Sequence, residues 1–133
     1  MAANTTPIFP LIPVATVVAV ATANTGRDGS GTIATIFNPN ADGARLRSVR
    51  LQAIVATTAQ VFRLWVRSSS AGTWYLYAEI LIAAITPSTT IQAWGYEYVF
   101  QEGKPLSDGT HIGGSVNAAE QVNAHCNGGE YGP

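Results

Sequence analysis

The chain has 133 residues, a length that suits one domain with a single core. Charged residues make up only 11% of it and apolar residues 47%, so it carries less charge than most soluble domains. The net charge of −1 argues against a general attraction to nucleic acid or to anionic membranes, and we predict neither as a partner. Two interpretations of the low charge stay open: other subunits cover part of the surface, or this is a small β protein rich in Thr, Ser and Asn.

The amino-terminal residues 1–13 are predicted to form an extended arm. Pro7, Pro10 and Pro13 oppose a helix, and the uninterrupted apolar stretch is far shorter than the roughly 20 residues that cross a membrane. A secretion signal is disfavoured because no basic residue precedes Arg27. The arm lies on a neighbouring subunit in one interpretation and is a flexible terminus in the other. Its predicted partner-binding residues are Pro7, Ile8, Phe9 and Leu11.

Four segments between Ala44 and Gln101 alternate apolar and polar side chains with a period of two, as half-buried strands do. The side chains predicted to face the core are Val49, Leu51, Ala53, Val55, Phe62, Leu64, Val66, Trp74, Leu76, Ala78, Ile80, Ile82, Trp94, Tyr96, Tyr98 and Phe100. Those predicted to face outward include Arg50, Arg63, Trp65, Arg67, Tyr75, Tyr77, Glu79 and Glu97.

Shorter strands flank this region: 14–22 and 31–37 before it, and HIGGSV and EQVNAHC after it. No stretch longer than about eight residues has a convincing helical period. The pattern predicts an all-β fold: an antiparallel two-sheet sandwich or jelly roll of about eight strands, forming a single domain over residues 14–133.

Positive charge is concentrated in this domain. Five of the seven basic residues lie between positions 45 and 67 with no acidic residue among them, and six of the eight acidic residues follow. A basic edge of one subunit meeting an acidic edge of the next would set register and partner choice. The alternative is that these are solvated outer faces of strands. The residues predicted to contact partners here are Arg45, Arg47, Arg50, Arg63, Trp65 and Arg67.

The residues able to carry chemistry are few. Cys126 is the only cysteine, so neither an intrachain disulfide nor a cysteine-based metal cage can form. It continues an apolar face, and the adjacent His125 points the other way, so we predict a buried structural thiol; His111 is the only other histidine. Glu79 and Glu97 lie on polar faces of neighbouring predicted strands that also suit a plain surface. We predict no enzyme activity, no cofactor and no metal.

Three outward aromatic side chains, Trp65, Tyr75 and Tyr77, have several possible uses. They can pack across strands, anchor a protein interface or stack on sugar rings. The third use would make the domain a carbohydrate-binding sandwich that reads host glycans.

Three stretches together resemble small virion proteins of tailed bacteriophages: LRSVRLQAIVATTAQVFRLWVR, TWYLYAEILIAAITPSTTIQAW and LSDGTHIGGSVNAAEQVNAHCNGGEY. In those proteins a VFRLWV-type strand is followed by an aromatic strand, a Pro-Ser-Thr turn and a closing AEQxNxxxxGG(D/E)Y segment. The resemblance covers about two-thirds of the chain, from residue 44 onward, with Glu130 where Asp is commoner.

The resemblance implies a β-sandwich or jelly-roll protein of the virion, assembled in the host cytoplasm. It is expected to be a capsid decoration (cement) protein, often trimeric, whose partners are the major capsid protein or other virion proteins. A tail or neck structural protein is the alternative within the same resemblance.

Overall fold

The computed structural model describes residues 11–131. Within this range the chain forms eight strands and no helix. The strands are β1 (Ile12–Val20), β2 (Ala34–Phe37), β3 (Ala44–Ala53), β4 (Gln60–Arg67), β5 (Tyr75–Ile82), β6 (Gly95–Leu106), β7 (His111–Val116) and β8 (Val122–Glu130). Of the predicted arm residues, Pro7, Ile8 and Phe9 lie outside the described part of the chain.

The strands form two antiparallel four-stranded sheets. Sheet A has the order β1-β8-β3-β6 and sheet B the order β2-β7-β4-β5. The pairs β1–β8, β2–β7, β3–β6 and β4–β5 are those of one long antiparallel ribbon rolled into a sandwich, which is jelly-roll topology. The predicted all-β two-sheet sandwich is confirmed, and the strand order decides between the topologies that periodicity left open.

The first strand begins earlier than the sequence predicted. Ile12 already pairs with Glu130, and the Leu11 N–H donates to the Glu130 carbonyl at 2.9 Å. Residues 12 and 13, which the sequence assigned to the arm, therefore belong to the edge strand of sheet A, and Leu11 is hydrogen-bonded to it.

The inner faces of the sheets enclose one core. Val49, Leu51 and Phe62 are completely buried, as their alternation with polar residues predicted. Burying a side chain of this size contributes about 1.5–3 kcal/mol. Gly114 fits this core because a Cβ there would lie 2.7 Å from the Phe62 ring.

Three apolar side chains predicted for the core are exposed instead. Val55 follows the end of β3 and lies in a loop, 41% exposed, and Tyr96 lies on the edge strand β6, 46% exposed. Leu76 is 37% exposed because the register of β5 shifts: Ala78 pairs with Leu64 but Leu76 pairs with Trp65. This bulge turns Leu76 to the outer face.

Arg63 and Trp65 on β4 are buried, 1% and 0% exposed, although the sequence predicted them on an exposed outward face. They do face away from the core of the sandwich, but residues 21–33 and Trp74 pack over the outer face of sheet B. The contact is close, since a Cβ on Gly29 would lie 2.3 Å from the Trp74 carbonyl oxygen. Burial of both faces of β4 depends on a loop distant in sequence, which alternation cannot reveal.

Candidate partner-binding face

The outer face of sheet A is open to solvent and carries a row of arginines from β3. Leu46, Val49 and Leu51 point into the core, so Arg45 and Arg50 on the same strand point outward and are exposed. Arg47 is exposed as well because it is the extra residue of a β-bulge: Leu46 pairs with Gly128 and Ser48 with Asn127. Three predicted partner-binding arginines thus share one face.

The neighbouring strand β6 departs from the sheet beside this bulge. Lys104 pairs with Leu46 and Val99 with Ser48, so residues 100–103 have no partner on β3. Glu102 and Gly103 take left-handed conformations with φ of 59° and 77°. The Arg45 guanidinium donates a hydrogen bond to the Glu102 carbonyl and so rests along this excursion.

The two irregularities open a groove of about 900 Å³ on the outer face. All four strands of sheet A contribute to it. Its lining residues are Leu11, Ile12, Pro13, Val14, Arg45, Arg47, Val99, Phe100, Glu102, Gly103, Asn127, Gly128 and Gly129. Gly128 is needed where β8 approaches β3 closely, because a Cβ there would lie 2.3 Å from the Arg45 carbonyl oxygen. The groove therefore joins the predicted arm residue Leu11 to Arg45 and Arg47.

The arginines of this face form no ion pair within residues 11–131. The single ion pair in that range is Arg27–Glu79, at 2.7 Å, on sheet B. Arg50 lies opposite Glu97 in register but makes its hydrogen bond to Gln52, at 3.2 Å. Exposed guanidiniums above an apolar groove suit a partner with carboxylates and apolar side chains.

The remaining predicted partner-binding residues lie on the opposite sheet and are engaged there. Trp65 donates its indole N–H to the Ser115 hydroxyl at 2.9 Å. Arg63 donates to the Asn117 side chain and, at 3.4 Å, to the Asn24 carbonyl. We therefore remove Arg63 and Trp65 from the predicted interface, since neither is accessible to a partner.

Arg67 is half-buried at the end of β4 and makes two contacts within the chain. Its guanidinium lies 4.2 Å from the centre of the Trp74 ring, and its Nε donates to His111 Nδ1 at 3.1 Å. The sequence prediction grouped Arg67 with Arg45, Arg47 and Arg50, but it lies on sheet B, away from the groove.

The sequence analysis missed an aromatic cleft of about 640 Å³ where β5 and β6 meet. Tyr77, the extra residue of the β5 bulge, has its ring 5.9 Å from Phe100 and 6.3 Å from Tyr98. The Lys104 ammonium lies 4.6 Å from the Tyr77 ring. In the sequence, Gly103 and Pro105 indicate an irregular strand here. That β5 and β6 meet depends on the strand order, which the sequence does not show.

The titratable residues that the sequence singled out are placed as follows. Residues 11–131 contain no cluster of three His, Cys, Asp or Glu side chains that could hold a metal ion. Burial raises the pKa of the Cys126 thiol to about 12, far from a reactive thiolate. Glu79 and Glu97, predicted on neighbouring strands, belong to different sheets.

Comparison of the chain with protein-family models, with curated proteins and with solved structures finds no match. In the part of the chain that the structure describes, no helix is long and apolar enough to cross a membrane.

Proposed function

We propose that this chain is a non-enzymatic structural protein of a tailed-bacteriophage virion, a capsid decoration protein that binds the shell through the outer face of sheet A. The virion context comes from the sequence resemblance. The observation that carries the binding role is the groove, where Arg45 and Arg47 lie beside apolar side chains and form no ion pair with the described residues.

The proposed mechanism is reinforcement by contact area. A specific interface buries about 800 Å² on each partner, and apolar burial contributes about 25 cal/mol per Å² before the entropic cost of association is subtracted. The arginines steer the protein to acidic surface of the shell and fix its register. Exposed charges are screened, so we expect binding to weaken as salt is added.

The number of copies in the proposed homo-oligomer stays a prediction. The resemblance implies a trimer. The proposed location is the virion head, with tail or neck as the alternative.

The proposal is tested with shells of the same virus produced without this protein. Co-sedimentation should detect binding of the full chain, and bound shells should withstand a higher temperature. Replacing Arg47→Ala and Arg50→Ala together should weaken binding about tenfold, since each exposed charge contributes up to about 1 kcal/mol.

The matched control is the double variant Arg27→Ala/Lys104→Ala, which removes two positive charges outside the groove. It should bind like the wild type. Equal binding by both double variants would show that the arginine row is not the docking surface, and no binding by the wild type would remove the proposed function itself.

A second candidate, glycan binding, is favoured by the aromatic cleft. Tyr77 and Tyr96 are 45% and 46% exposed, and Lys104 and Glu97 supply polar groups beside them. Trp65, one of the three residues first considered for this role, is buried and takes no part. Calorimetry or a glycan array should then detect binding that Tyr96→Ala abolishes and Leu81→Ala, on an 81% exposed side chain, preserves.

A further inference from the structure

The two sheets have four edge strands, and three of them carry features that discourage pairing with another chain. β2 has only four residues. β6 carries Lys104, Pro105 and the excursion at residues 100–103. β5 has the Tyr77 bulge and the charged Glu79 near its middle. Short length, charge, proline and bulges are the usual protection of exposed edges.

The fourth edge, β1, has little such protection. It spans nine residues, Ile12–Val20, without a charged side chain, and its register with β8 is unbroken. Pro13 interrupts pairing only near the beginning of the strand. Val17 on the outer face is 56% exposed, and Thr16 is exposed although its partner Cys126 is buried in the core. Strand β1 therefore presents uncharged, exposed side chains on both faces of this edge.

We infer that β1 is an interaction edge and that its partner is β1 of a second copy of this chain, paired antiparallel about a twofold axis. Such a pair would join the two A sheets into one sheet of eight strands, and the added strand would cover the exposed side of Thr16.

The absence of charged side chains on β1 favours a second copy of this chain as its partner. With Thr16 at the axis, Val14 lies opposite Val18 and Ala15 opposite Val17, so no like charges face each other. The same self-pairing of β5 would bring two copies of Glu79 close together. A strand without charged side chains also cannot select a different partner by charge complementarity.

Residues opposite each other in an antiparallel pair point to the same face, so both grooves would open on one side of the joined sheet. Two grooves facing one surface would bind with avidity. The pairing itself is independent of what the groove binds, and its twofold symmetry departs from the trimer that the resemblance implies.

The experiment is light scattering on the full chain over a wide range of concentration. The expected mass is twice that of the 14.0 kDa chain. Val17→Lys should reduce it to the mass of one chain, because two lysines would approach diagonally across the pair. Val17→Glu should do the same, and mixing the two variants should restore the doubled mass.

The control is Val99→Lys, which places the same charge on the same face of sheet A at the opposite edge, on a side chain that is also 56% exposed. It should remain dimeric even if it no longer binds shells. Circular dichroism verifies folding, and if Val17→Lys does not fold, Ala15→Lys replaces it. A monomeric or trimeric wild type, or Val17 variants with unchanged mass, would overturn the inference without bearing on shell binding.

Discussion

The pKa of His111 depends on burial and on a contact that the sequence does not reveal. It lies at the beginning of β7, with Arg67 donating to its Nδ1 and Trp74 beside its ring at 6.5 Å. Burial lowers the pKa of His111 below its usual 6.5, and the nearby Arg67 charge lowers it further. A protonated Nδ1 could not accept the Arg67 hydrogen bond.

The shifted pKa makes the stability of the fold depend on pH, because the folded and unfolded states bind the His111 proton with different affinity. Because the folded state holds the proton less tightly than the unfolded state, His111 lowers stability progressively as the pH falls below 6.5. Urea unfolding of the wild type across this range should show that loss, and His111→Gln should reduce it. His125→Gln, on an exposed side chain, is the control; equal slopes for all three proteins would contradict the assignment.

At the scale of strands, the groove depends on the irregular segment of β6. Gly103 has φ of +77°, and a Cβ there would lie 2.5 Å from Arg45 Nε. Gly103→Ala should lower the free energy of unfolding by about 1–2 kcal/mol through its left-handed backbone, and should displace Arg45.

At the adjacent Glu102, a substitution is expected to have the opposite effect on stability. It is a non-glycine residue with φ of 59°, so Glu102→Gly should leave stability unchanged or raise it. Chemical denaturation measures both variants. If Gly103→Ala raised the free energy of unfolding, the backbone at Gly103 could not have the left-handed conformation described here.

Strand β3 was the most predictable part of the candidate face. Its alternation correctly gave buried Leu51 and exposed Arg50, because only one face of sheet A is covered. Strand β4 has the same alternation, yet Arg63 and Trp65 are buried by residues 21–33 and Trp74. The groove was not predictable either, since register shifts and strand order are set by contacts far apart in sequence.

At the scale of the molecule, the two outer faces of the sandwich differ. Residues 21–33 cover part of sheet B, and Arg27 in that loop forms an ion pair with Glu79 that lowers the pKa of the Glu79 carboxyl. Sheet A is open and carries three arginines without ion pairs among the described residues. The basic residues are divided between the two sheets, but Arg45, Arg47 and Arg50 are the ones that lie together on an open face, which is the side proposed to bind.

The central claim, that sheet A faces the shell, is tested most directly by cryo-electron microscopy of shells saturated with the full chain. We expect density for the sandwich in which the groove and the row of Arg45, Arg47 and Arg50 lie against the shell. Residues 21–33 should then face the solvent. Density showing sheet B against the shell, or shells that bind no protein, would contradict it.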